Sequence, residues 1–344
     1  MIWNGYDGFW KSLRTSKATN AQMFDGAIKA DVVVFHRPLD RKMLEAAKLM
    51  KEYGKVIIMD NDDTYVKDSG VPTQMFGPLS GKIKNAVEAI DTTLKEFAAI
   101  SDLVTVSTET LKQEYIESNG NVVVLPNCVD PMDWGKPKRN KGDKVRIGLV
   151  GSVASNKDYE QIIPLLDRLK DRDDVQLVLF ALPEKKKGTE WVVEMYKPEF
   201  EFWNKYKPEW HHFCQIKDYM DTVNGLELDI MLIPRHDNYF NRAKSNLKFL
   251  EASMCEIPVI AQAFSTGDSP YQGTEDAKHM VLCETSEDWI RETERLIMDR
   301  EGRETMAKGA REYVINNYNI RNNAKKWHEA YLKTWKTHTN ETKK

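Results

Sequence analysis

The chain has 344 residues, which is room for two domains at roughly 150 residues each. Its hydrophobic content is 41%, with 9 Trp, 13 Tyr and 12 Phe, enough for sizeable cores. The 50 Lys and Arg nearly cancel the 53 Asp and Glu, and a net charge of -3 gives no overall electrostatic case for wrapping nucleic acid or lying on anionic lipid. No apolar run approaches the roughly 18 residues that cross a bilayer. Met1-Ile2-Trp3-Asn4-Gly5 lacks the basic and apolar regions of a secretion signal. Cys128, Cys214, Cys255 and Cys283 are widely spread with no CxxC pair. They read as reduced thiols of a cytoplasmic protein, not as a disulfide or zinc framework.

Short apolar, β-branched runs alternate with helical patterns. Residues 31–36, 55–59, 103–106 and 122–125 are near-continuously apolar, as strands buried on both faces of a parallel sheet are. Asp40 is placed to cap a helix that runs to Tyr53 and ends at Gly54. Val87, Ile90, Leu94 and Phe97 form one stripe at helical spacing, and a third helix is predicted from Thr108 to Asn119, stopping at Gly120. Trp134 to Lys144 holds five basic residues, one acid, two Gly and one Pro, and reads as a solvated linker. A second strand series follows at 145–150, 175–180, 228–233 and 257–261. The last 50 residues look helical, including a stretch with Trp327, Tyr331 and Trp335, and the polar tail from Thr337 to Lys344 is expected to fray. Two βα series imply two doubly wound Rossmann-like domains.

Several motifs fail on their spacing. Asp60-Asn61-Asp62-Asp63 follows a strand as a metal-binding run would, but a calcium loop would need Gly at Tyr65 and Glu at Val71. These acids are expected at the carboxyl end of the sheet, without a metal. Gly77 to Lys82 is one residue short of a P-loop, there is no GxGxxG, and His211-His212 are poorly placed to share an ion. No nucleophile elbow is recognisable.

The stretch from Pro234 to Glu251 carries the chemistry. It leaves a buried strand and enters a helix for which Ser245 or Asn246 is a good N-cap. The free N–H groups of the first turn then form an anion site. Lys244 adds charge beside that turn, Lys248 lies one turn on, and Glu251 is apt for the two hydroxyls of a ribose. Gly151-Ser152-Val153-Ala154-Ser155-Asn156-Lys157 repeats the logic after another strand. Each turn alone is ordinary; two in one domain suggest a nucleotide diphosphate held between them.

These residues resemble the signature of GT-B glycosyltransferases, close to glycosyltransferase family four and related enzymes of polysaccharide clusters and phages. The resemblance covers nearly the whole chain. Val32 to Asp40 followed by Ile58 to Asp63 is similar to the family's "RPL … D-x-DD" pair. Asp102 to Thr108 and Leu125 to Asp130 look like the close of the first domain. Phe240-Asn241, Lys244-Ser245 and Lys248 to Glu251, then Ile257 to Ala261, look like the donor helix and its following strand, and Trp289 to Trp327 resembles the C-terminal helices.

The resemblance implies two domains facing each other across a cleft. The acceptor side would be 1–133, the linker 134–144, the donor-binding domain 145–319, and a helix at 320–336 would return to the first domain. It also implies transfer of a sugar from a nucleotide-diphosphate sugar, UDP- or GDP-linked, with retention and with neither metal nor further cofactor. Lys157 and Lys244, with the amides of Ser245 and Asn246, would stabilise the leaving diphosphate. Gly151, Ser152, Arg235, Asn241 and Lys248 would complete the donor site, Glu251 would bind ribose, and Asp60 and Asp62 would orient the acceptor hydroxyl. Three positions depart from the family. The acid eight residues before Glu251 is replaced by Ala243, so its role would either pass to Asn241 or Asp237 or be absent. Ser152 stands for a usual Arg, with Arg235, Lys157 and Lys244 as replacements, and Glu256 stands where Gly is common. The aromatic opening from Trp3 to Trp10 reads equally as an acceptor lining or as ordinary core aromatics.

The acceptor is expected to be a glycan or other soluble hydroxyl compound. One alternative is a phage-type enzyme acting on hydroxymethylated bases in DNA, through Lys136, Lys138, Arg139, Lys141 and Lys144. Another is a degenerate nucleotide-sugar-binding protein.

Overall fold

The computed structural model describes residues 27–66, 83–151, 156–182, 197–272 and 275–341. The opening aromatics from Trp3 to Trp10, the Gly77 to Lys82 segment and Ser152 lie outside the described residues.

The first domain is a parallel four-stranded sheet in the order β1 (Val32–His36), β2 (Val56–Asn61), β3 (Leu103–Val106), β4 (Val122–Val124). Helix α1 (Arg41–Glu52) starts at Asp40, whose carboxylate accepts from Lys42 N, and Gly54 beyond it has φ +69°. Helix α2 (Ile83–Ile100) carries the predicted stripe. Thr108 caps α3 (Glu109–Tyr115), which stops short of the expected Asn119 and turns over before Gly120. Strand alternation divides the buried residues between two faces. Ile57, Met59, Val104 and Val106 pack with Leu44, Leu94, Phe97 and Leu111 of α1 to α3. Val56, Ile58 and Leu103 face Ala330, Tyr331 and Trp335 of the last helix.

The second domain is a six-stranded parallel sheet ordered β10-β9-β8-β5-β6-β7: β5 (Val145–Val150), β6 (Val175–Leu182), β7 (Glu209–His212), β8 (Ile230–Ile233), β9 (Val259–Gln262) and β10 (Val281–Cys283). Its helices are α4 (Asn156–Tyr159), α5 (Ile163–Leu169), α6 (Lys197–Asn204), α7 (Ile216–Gly225), α8 (Tyr239–Arg242), α9 (Leu247–Met254), α10 (Ser286–Met298) and α11 (Arg300–Asn317). The chain winds outward from β5 to β7, then crosses back to lay β8 on the other side of β5, with Ile147 opposite Ile230. That reversal opens a crevice at the carboxyl ends of β5 and β8, where doubly wound sheets bind ligands. Cys255 and Cys283 are buried, and burial pushes both thiols up to about 12.

Two segments differ from expectation. The 134–144 segment is not a free linker. Trp134 is buried, Lys138 N donates to Asn224 Oδ1 at 2.9 Å, Arg139 pairs with Glu256, and Asn140 Nδ2 reaches Asp229 Oδ2 at 2.6 Å. The C-terminal helix α12 (Ile320–Glu341) continues into the polar tail that was expected to fray, as far as Glu341. Thr337 and Thr339 hydroxyls bond back to the carbonyls of Lys333 and Trp335, and His338 Nδ1 lies 3.6 Å from Asp102 Oδ1 of the first domain. The chain passes between the domains side by side with itself: Val129 N donates to Tyr318 O and Ile320 N to Val129 O, both at 2.9 Å.

Candidate active site

The switch point brings the two turns singled out in the sequence together, since one follows β5 and the other β8. Their link is an acid: Asp158, buried in α4, accepts from His236 N at 2.9 Å and from Asn241 Nδ2 at 2.7 Å, and lies 3.4 Å from Arg235 Nη1. Lys157, the expected phosphate ligand of this helix, is exposed and has no ion-pair partner among the described residues. Asn241 is 2% exposed; its Nδ2 braces the turn by donating to Asp158 and to His236 O, while its Oδ1 is buried without a partner among the described residues. Asp237 is paired with Arg242 at 2.7 Å. Gly151 ends β5 with open space in front of it: a Cβ there would meet nothing within 4 Å. Arg235 is half-buried, with its Nε unpartnered.

Helix α9 begins at Asn246, whose side chain makes no cap bond and donates instead to Asp276 Oδ2 at 2.6 Å. Ser245 does not cap either, because its hydroxyl accepts from Asn127 Nδ2 of the first domain at 2.7 Å. Among the described residues, the N–H groups of Ser245, Asn246, Leu247 and Lys248 have no acceptor. The helix therefore presents an open positive end.

Two lysines flank this end, in different states. Lys244 Nζ lies 2.8 and 3.0 Å from the oxygens of Asp63, and 4.0 Å over the Phe240 ring. Burial lowers its pKa, and Asp63 opposes that shift. Lys248 was expected to serve a phosphate one turn on. It is instead bonded to Glu251 Oε2 at 3.0 Å, beside Tyr219 OH at 2.9 Å from the same oxygen. Glu251 is 8% exposed, and among the described residues its other oxygen makes no hydrogen bond, which leaves one acceptor for an incoming hydroxyl.

On the first domain the acids past β2 all have partners. Asp60 holds His36 Nδ1 at 2.8 Å and Thr105 Oγ1 at 2.6 Å, and Asp62 is gripped by two nitrogens of Arg37. Its position beside Arg37 keeps the Asp62 carboxyl below the usual range, against the opposing effect of burial. The acid that reaches across the cleft is Asp63, the member of the run that the sequence analysis left without a role. Ala243, at the position of the missing acid, is 1% exposed and packed into the first domain's apolar cluster, and its carbonyl accepts from Thr108 Oγ1 at 3.1 Å. Glu256 has φ +52°, which explains why Gly is common there, and Arg139 holds its carboxylate.

Residues 164–329 match the family described as "Glycosyl transferase-like". No curated protein matches the sequence. Among solved structures, sucrose-phosphate synthase from Thermosynechococcus elongatus superposes with a TM-score of 0.61 at 14% identity, over 93% of this chain and 81% of that one. Anabaena HepE in complex with UDP and glucose gives 0.60 at 12% identity, over 90% and 79%. WaaG, a glycosyltransferase involved in lipopolysaccharide biosynthesis, gives 0.53 at 11%, over 89% and 95%. At such identities the likeness is one of fold. Among the described residues no helix is long and apolar enough to cross a membrane. With two parallel-sheet domains and the crevice at β5 and β8, the chain has the GT-B fold, and its residues 164–329 match a glycosyl transferase-like family.

Proposed function

We propose that the protein transfers a sugar from a nucleotide-diphosphate sugar to a hydroxyl of a glycan or other soluble acceptor, with retention, in the manner of family four. The observation that carries this reading is the uncapped start of α9. Its open N–H groups are flanked by Lys244 and followed one turn later by Glu251, all at the sheet's switch point. A diphosphate seated there is met by the helix end and an ammonium, and the free Glu251 oxygen lies where a ribose hydroxyl would follow. As the glycosidic bond breaks, negative charge grows on the leaving phosphate oxygen. Donors already in place lower that barrier without reorganising. Acceptor and metal independence belong to the same proposal. HepE, whose structure holds UDP and glucose, makes a UDP-sugar the first donor to try.

The test is a thermal-shift screen against UDP-, GDP-, CMP- and dTDP-sugars, followed by turnover with the best binder. Glu251→Ala and Lys244→Ala should each abolish turnover; full turnover in both would show that the site lies elsewhere. A degenerate binding protein is the second reading, favoured by the burial of Ala243 where the family carries an acid. Donor hydrolysis by the purified protein would eliminate it. DNA as acceptor has no such support: Arg139 of the basic run is committed to Glu256, and the segment is fastened to the second domain.

A further inference from the structure

The turn from Asn238 to Asn246 is held by the first domain at four points. Asp63 takes Lys244, Thr108 donates to Ala243 O, Asn127 donates to Ser245 Oγ, and the Glu114 carboxyl bonds the Tyr239 side chain. Three of the four leave the helix start open. The contact through Asp63 occupies the Lys244 ammonium beside it, because Asp63, 4% exposed, sits on Lys244 through both oxygens.

We infer that Asp63 and the donor's diphosphate share Lys244 in turn, so that Asp63 is a positioning residue that also competes with the donor. This rests on the donor reading above. While the cleft is empty, the carboxylate offsets the desolvation of a half-buried ammonium and keeps its Nζ beside α9. A diphosphate brings at least two negative charges to the same place, and repulsion between them and Asp63 is strong in a partly dry cleft. The lysine stem is flexible, so Nζ turns to the phosphates. Asp63 retains other partners: its Oδ1 accepts from Thr64 N at 3.1 Å, and its Oδ2 lies 4.0 Å from Arg37 Nη2. Release of the nucleotide product returns Lys244 to Asp63, and the first domain regains its hold on the turn.

Calorimetric titration of inorganic pyrophosphate and of UDP tests the sharing. Asp63→Asn should bind pyrophosphate about tenfold more tightly than the unaltered chain, because a repelling charge is gone. Asp63→Glu should keep the original affinity, and Lys244→Met should lose about tenfold or more. The exchanged pair, Asp63→Lys with Lys244→Asp, should recover the unfolding midpoint lost by either single change yet bind pyrophosphate no better than Lys244→Met. Equal or weaker binding in Asp63→Asn, with the unaltered chain binding normally, overturns the inference; Asp63→Ser gives the same reading if the Asn variant does not fold. If the unaltered chain binds neither probe, the donor reading itself fails, and the midpoint of the exchanged pair still reports on the ion pair.

Discussion

Asn246 donates its amide Nδ2 to Asp276 Oδ2 at 2.6 Å, and this bond holds the N-cap residue of α9 away from its own helix. Asn is among the best capping residues, so an Asn that does not cap marks a helix start kept open. The same carboxylate, 1% exposed, accepts the Tyr318 hydroxyl at 3.0 Å, and Tyr318 O accepts Val129 N where the chain passes between the domains. One buried acid thus joins the open end of α9 to the interdomain crossing.

Asp276→Ala should therefore act on both. It leaves the Asn246 amide and the Tyr318 hydroxyl without their acceptor, a loss of about 2–4 kcal/mol in urea unfolding. It also frees Asn246 to cap α9, so the affinity for UDP measured by calorimetry should fall. Stability within about 0.5 kcal/mol of the parent would mean that this three-residue junction contributes little.

An acid restored at Ala243 should not improve the enzyme. The side chain would enter the apolar cluster of Leu44, Met59 and Tyr115, where an unpaired carboxylate is expensive. Ala243→Glu is expected to destabilise by about 2–4 kcal/mol and to lower transfer. A gain in turnover would show that the two domains part far enough in solution to expose the position.

Glu114 should make stability depend on pH near neutrality. Burial, only partly offset by hydrogen bonds from Thr64 and Tyr239, raises its carboxyl from 4.5 to about 7, and its Oε1 is buried without a partner. The folded value lies above the unfolded one. The carboxyl's favourable contribution is therefore complete below about 4.5 and is lost as pH rises through about 7. Unfolding midpoints should fall between pH 5 and 8 by the equivalent of about 1–2 kcal/mol after allowance for solvent screening. Glu114→Gln should flatten that slope and be the more stable protein at pH 8. An unchanged slope would assign the dependence to other groups.

Glu256 separates backbone strain from a tether. At φ +52° the residue is strained by about 1 kcal/mol, which Gly would relieve, while the carboxylate's pairing with Arg139 is worth no more than about 1 kcal/mol. Glu256→Gly should then unfold within about 1 kcal/mol of the parent, and Glu256→Ala, which keeps the strain and loses the pair, should be the weaker of the two. Equal losses in the two variants would show that the left-handed conformation carries no strain here.

The inner strands of both sheets were readable along the chain because a strand covered on two faces needs an apolar residue at nearly every position, and β2, β3, β6 and β8 have that run. Asp40 was readable as a cap because a cap is satisfied within three residues of itself. The edge strands β7, with the sequence Glu-Trp-His-His, and β10 escaped notice: one neighbour and a half-covered face demand no such run. Local turn chemistry likewise marked both turns at the switch point, but not which side chain in each faces inward. Asp158 turns in where Lys157 was expected, and Asp63 crosses the cleft where Asp60 and Asp62 were expected. The Asp63–Lys244 pair joins positions 181 residues apart. Burial leaves a period in the sequence, whereas a bond between two domains leaves none, since its geometry exists only once both sheets are folded and docked.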